Sequence, residues 1–118
     1  MADRREFIKL DAGYISNPKI VALLIAGRPR SVLLHIQCMT YSRQHRTNGI
    51  VPIAAARAAV IGSTARDVSA AVESGLLLDL GDGTVEVHDY LKHQESKADI
   101  ERRSSAGRKG AEARWSGA

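Results

Sequence analysis

The spacing of apolar and polar residues changes several times along the chain, and each change marks an element. Phe7, Ile8 and Leu10 around Lys9 predict a short β-like run. Asn17-Pro18 then opens a helix: the asparagine can cap free amides, and proline's missing N–H costs nothing at the first position. Ile20, Val21, Leu23, Leu24 and Ile25 give that helix a broad apolar face, and Gly27 and Pro29 end it. From Arg30 to about Arg46 the period is helical again, with one seam of Val32, Ile36 and Met39 and a second of Leu34, Cys38 and Tyr41. Adding Leu33 makes the predicted buried face wide enough for neighbours on two sides, and leaves Arg30, Gln37, Arg43 and Gln44 for solvent.

The stretch from Asn48 to Tyr90 organises the rest. Asn48-Gly49 is a turn, Ile50-Val51 a short strand, and Pro52 opens an alanine-rich helix with Ile53, Ala56, Ala59 and Val60 facing inward. Gly62 suits a left-handed cap after it. Thr64 with Asp67 three residues on has the pattern of a capping box for a second helix, Ala65 to Ser74. Two β-rich runs follow, Leu76–Leu80 and Thr84–Val87, split by Gly81-Asp82-Gly83. Strand, helix, turn, helix, hairpin is the plan of a winged helix-turn-helix. The expected fold is therefore α+β and mostly helical, with a winged helix-turn-helix domain over 1–93, an N-terminal helix, and a basic tail over 94–118. Ser96 with Asp99 can start a helix in that tail, but Ile100 is its last aliphatic residue larger than alanine, so the tail is expected to be a fraying helix or disordered.

Composition adds limits. A chain of 118 residues holds one domain with a core and a tail. One Phe, one Trp and three Tyr leave the core to aliphatic side chains. No apolar run approaches the roughly 20 residues of a membrane span, so no membrane partner is expected. The start lacks an apolar signal region, and the single Cys38 has no internal disulfide partner, which together suggest the cytoplasm.

The net charge of +4 is unevenly spread. Residues 1–60 carry nine Lys/Arg against three Asp/Glu, residues 61–91 one against six, and residues 92–118 seven against four. The basic ends suggest a polyanionic partner, double-stranded DNA first. The acidic middle suggests a protein.

Catalytic chemistry is not expected. The carboxylates of 61–91 are scattered over helix, wing and strand with no acid/base pairing. His88 and His93 lack metal-ligand spacing, Gly81-Asp82-Gly83 is too short for a phosphate loop, and Cys38 falls on an apolar stripe. No enzyme, cofactor or metal is predicted.

Several motifs in order resemble a known family: Phe7-Ile8-Lys9-Leu10-Asp11, Ser16-Asn17-Pro18-Lys19-Ile20, Thr47-Asn48-Gly49-Ile50-Val51-Pro52, Glu73-Ser74-Gly75-Leu76-Leu77, and His88-Asp89-Tyr90-Leu91-Lys92-His93-Gln94. Ala106-Gly107-Arg108-Lys109-Gly110-Ala111-Glu112-Ala113-Arg114-Trp115 completes the series. The chain looks like the N-terminal winged-helix domain of bacteriophage and prophage replication-initiation proteins, the replisome-organiser or DnaD-like group, of an actinobacterial type. The resemblance implies DNA binding in replication initiation or its regulation, self-association, and a location at the nucleoid of a bacterial host. It does not extend to a helicase-recruiting domain.

A helix-turn-helix of this kind reads bases with its second helix, which makes Ser63, Thr64, Arg66 and Ser69 the base-readout candidates. Arg28, Arg30, Arg43, Arg46, Arg57, Arg102, Arg103, Arg108, Lys109 and Arg114 are the phosphate candidates. Trp115 can stack on a base or pack on the body. Glu73, Asp79, Asp82 and Glu86 would repel a duplex, and are the candidates for docking a host or phage replication protein or a second copy. A transcriptional repressor is a third expectation and needs a dimer.

Overall fold

The computed structural model describes residues 6–116, with side chains described as far as 107. Six helices and three strands follow one another: α1 (Pro18–Ile25), α2 (Pro29–His45), β1 (Ile50–Pro52), α3 (Ile53–Ala59), α4 (Ala65–Glu73), β2 (Leu77–Asp79), β3 (Thr84–Val87), α5 (Tyr90–His93) and α6 (Lys97–Ser116). The three strands form one antiparallel sheet in the order β1-β3-β2. The fold is α+β, with helices dominant, as the spacing predicts.

Local chemistry accounts for the boundaries. The Asn17 side chain accepts from the Lys19 amide and Pro18 takes the first helical position, so α1 starts where the sequence says. Arg46 ends α2 in the left-handed region (φ 55°), and Asn48 (φ 53°) and Gly49 (φ 97°) turn the chain into β1. Gly49 combines that backbone with a close approach: a Cβ there would sit 2.9 Å from Tyr90 Cβ.

α2 is the central support, packing on α1, α3, α4 and β1. The main core joins its Leu34, Cys38 and Met39 to Val51, Ala56, Val60, Ala71, Leu77, Val85, Val87 and Tyr90. A smaller cluster of Ile20, Leu23, Val32 and Leu76 fixes α1. Each fully buried Leu, Ile or Val contributes about 1.5–3 kcal/mol through area removed from water. The alanines at 56 and 71 keep α3 and α4 close to α2.

Three expectations are corrected. Phe7–Leu10 forms no strand: the Lys9 amide donates to Gln94 Oε1 (2.8 Å), and its carbonyl accepts from Gln94 Nε2 (2.6 Å). One side-chain amide thus satisfies the backbone groups that a neighbouring strand would have met. Leu33 is 52% exposed, because the inward face of α2 is centred on Leu34, Cys38 and Ser42, and Leu33 points away from them. Gly62 is left-handed (φ 78°) but lies beyond the end of α3, where Val60 is the extended C-cap residue.

Residues after His93 continue against the body before leaving it. Gln94 and Ile100 are buried, and the Lys97 amide donates to Asn48 Oδ1 at 2.8 Å. Helix α6 then runs on to Ser116.

Candidate nucleic-acid interface

The turn between α3 and α4 is built by hydrogen bonds that the sequence encodes locally. The Asp67 amide donates to Thr64 Oγ1 (3.4 Å), and the Asp67 carboxylate accepts from the Thr64 amide (2.8 Å), completing the capping box. Asp67 is buried, and its carbonyl accepts from the buried Ser31 hydroxyl at 2.7 Å. Its carboxylate also lies 3.4 Å from the Arg28 guanidinium. Burial disfavours the charged carboxylate, but the Thr64 amide and hydroxyl and the Arg28 charge outweigh it and hold the pKa below the usual range.

This bonding sorts the base-readout candidates. Thr64 Oγ1 also donates to Asp67 Oδ2 (3.2 Å), and Ser63 Oγ donates to the Arg57 carbonyl (3.1 Å), so both hydroxyls serve the turn itself. Arg66 and Ser69 are exposed and share the outward face of α4 with the exposed Glu73. Together with Ala22, Leu23, Ala26 and Arg28 they border a shallow groove of about 490 Å³ between α4 and α1.

The phosphate candidates divide in the same way. Arg43 is 7% exposed; its Nε donates to Glu6 (2.7 Å), and Glu95 lies 3.8 Å from it. Arg43 is therefore buried, contrary to the expected solvent-facing position, because the N-terminal segment and the start of the tail both reach it with partly exposed carboxylates. Arg46 reaches Glu6 at 3.7 Å. Arg102 pairs with Asp99, and Arg103 with Glu95 at 2.6 Å. Arg108, Lys109 and Arg114 lie on α6, with side chains outside the described residues, as is the side chain of Trp115.

Four arginines lie on the segments that meet at the α3–α4 turn. Arg30 Nε donates to the Ile61 carbonyl (3.2 Å), which lays its guanidinium beside Gly62. Arg57 closes the last turn of α3, is exposed, and meets no carboxylate among the described residues. Arg66 opens α4 and Arg28 flanks it through Asp67. The Arg30 guanidinium thus borders the α3–α4 turn, with Arg57 and Arg66 on the two helices that the turn joins, and Ile61, 92% exposed, stands within it. Helical spacing does not reveal this grouping, since Arg28 and Arg30 arrive from the start of another helix.

The acidic candidates have mixed roles. Asp79 accepts from the Gly81 amide (2.9 Å) and Asp82 from the Thr84 amide (3.1 Å), so both shape the hairpin turn. Hydrogen bonds from the Thr84 hydroxyl and amide hold the Asp82 pKa down. Glu86 lies on the outer face of the sheet, paired in register with Ile50 on one side and Leu78 on the other. Pro52, Thr84 and Leu80 form the next row of that face. Ile50, Leu78 and Leu80 are all exposed, so this face is an aliphatic surface around one carboxylate.

No group of three or more His, Cys, Asp and Glu able to hold a metal occurs among the described residues, and no helix among them is long and apolar enough to cross a membrane. Comparison with family models, curated proteins and solved structures returned no match.

Proposed function

We propose that the chain is a winged helix-turn-helix protein that binds double-stranded DNA by equilibrium association, without catalysis. In this reading α3 and α4 are the helix-turn-helix and β2–β3 the wing. The supporting observation is the grouping of Arg28, Arg30, Arg57 and Arg66 around one exposed turn, beside the outward face of α4. Arg66 and Ser69 read bases, while Arg30 and Arg57 contact phosphates and fix the docking. Exposed Ile61 meets a thymine methyl or the sugar edge. Tail cations add sequence-independent, salt-sensitive attraction. The family resemblance points the same way and puts the binding in replication initiation or its regulation, in the bacterial cytoplasm.

The test is fluorescence anisotropy with a labelled duplex across salt, comparing the full chain with Arg57→Ala and Arg66→Ala. A salt-dependent affinity that weakens in both variants supports the reading. An affinity unmoved by either change, or no binding at low salt, removes it.

A second reading draws on the outer sheet face. An aliphatic patch around Glu86 suits a protein that presents a lysine or arginine within an apolar surface. DNA on the α3–α4 turn and a replication protein on the sheet are compatible.

A further inference from the structure

A second concave site lies where the N-terminal segment crosses the body. Its volume is about 540 Å³, and it is bounded by residues 9–20, by His35 and Met39 of α2, by Gly75-Leu76, and by the chain from Val87 to Gln94. That volume is within the roughly 300–1,000 Å³ range of small-ligand pockets. One part of the lining is apolar, with Ile20, Met39, Leu76 and Tyr90. Another part is polar, with Lys9, Lys19, His88 and His93 beside Asp11 and Asp89.

At its floor the rings of Tyr14 and His35 stack with centroids 5.7 Å apart and planes within 4°. The Tyr14 hydroxyl is 2.7 Å from His35 Nδ1. His35 is only 8% exposed, yet its Nε2 has no hydrogen-bond partner among the described residues. No fully buried polar side-chain atom is left unpaired among them, so Nε2 keeps some access to the surface, and His35 is one of the residues that line the cleft. In the tautomer in which the hydroxyl donates to Nδ1, Nε2 carries the ring proton and is the ring's free donor.

Charge decides what would accept that proton. Burial, and secondly the positive charge of Lys19, lower the His35 pKa to about 4, so the imidazole is neutral and Lys19 is close enough to act on it. Lys9 and Lys19 meet no carboxylate among the described residues. The two acidic residues of the lining already have partners: Asp11 accepts from the Gly13 amide (2.6 Å), and Asp89 faces His88 of the same lining (3.3 Å) and Lys92 (3.5 Å). Gly75 leaves room for the Lys19 ammonium, whose Nζ would lie 3.3 Å from a Cβ at that position.

We infer that this cleft binds a small phosphomonoester with an apolar or aromatic body, its phosphate held by Lys19, Lys9 and His35 Nε2–H. Two ammonium groups match a phosphate dianion, whereas a carboxylate would leave one of them uncompensated. The apolar wall receives the remainder of the ligand. The source is a free nucleotide or the phosphorylated end of a DNA strand, and the site stands whether or not the α3–α4 turn binds a duplex.

The experiment follows the His35 ring and the Tyr14 and Leu76 amides of the full chain by NMR. Adenosine monophosphate, adenosine, inorganic phosphate, and 5′-phosphorylated and 5′-hydroxyl oligonucleotides are added in turn. Adenosine monophosphate should move these signals at concentrations at least about tenfold below adenosine or phosphate alone. Lys19→Ala, on an exposed position, should weaken that binding roughly tenfold through a lost charge-assisted bond, while Arg66→Ala should leave it unchanged. A response confined to the 5′-phosphorylated oligonucleotide supports the same site with a strand end as its ligand. Equal responses to adenosine and its monophosphate, or none at His35 in the millimolar range, overturn the inference.

Discussion

The Asp67 carboxylate stands 3.4 Å from the Arg28 guanidinium while it also closes the capping box of α4 with Thr64. One acidic side chain thus fixes the N-terminus of α4 and joins it to the loop before α2. Asp67→Ala removes both, and should cost about 1–3 kcal/mol by urea unfolding at neutral pH. Because the folded pKa is lowered, this contribution is complete above the ordinary carboxylate range and is lost as pH falls through the folded value. The gap between wild type and variant should therefore narrow below about pH 4. A gap that stays constant into acid would show that the charge on Asp67 contributes nothing.

Arg43 and Arg66 should separate stability from binding. Arg43→Ala removes a buried guanidinium that bonds the partly exposed Glu6 and Glu95 and should lower stability by about 1–2 kcal/mol, with little change in DNA affinity once the fold is intact. Arg66→Ala should leave the melting temperature nearly unchanged and weaken duplex binding by about 1–3 kcal/mol. Paired thermal melts and anisotropy titrations distinguish the two.

Gly49→Ala combines a φ of 97° with a Cβ 2.9 Å from Tyr90 Cβ. The left-handed backbone alone disfavours any side chain, and the contact leaves no path for relief. A loss of about 2 kcal/mol or more in denaturant unfolding is expected. A smaller loss would mean that Tyr90 and α5 shift easily.

Cys38 has no exposed surface, and burial pushes its thiol up to about 12. A disulfide reagent should label it only when the core opens, so at fixed pH the rate should rise with added urea. Rapid labelling of the native chain would refute the packing of α2 against the sheet.

Much of the local plan is legible in the sequence. Asn17-Pro18, the Thr64–Asp67 box and the Asn48-Gly49 turn each carry their signal within a few residues, and each sits where its chemistry requires. Contacts between distant segments are not legible in this way. Nothing in the spacing of α2 distinguishes Arg43, covered from two sides, from its exposed neighbour Gln44. The cleft likewise needs Tyr14 from a turn and His35 from a helix, and only the folded backbone brings them together. Alternation at Phe7–Leu10 predicts a strand because periodicity cannot show that a side chain will take the backbone bonds first.

The Lys9–Gln94 clasp bears on how the molecule opens in time. Its two hydrogen bonds close a loop spanning 85 positions, so they come late in folding, after the core they cross has formed. Two bonds at a partly exposed edge break far more often than the core unfolds. Solvent deuterium should therefore reach the Lys9 amide long before it reaches Val85.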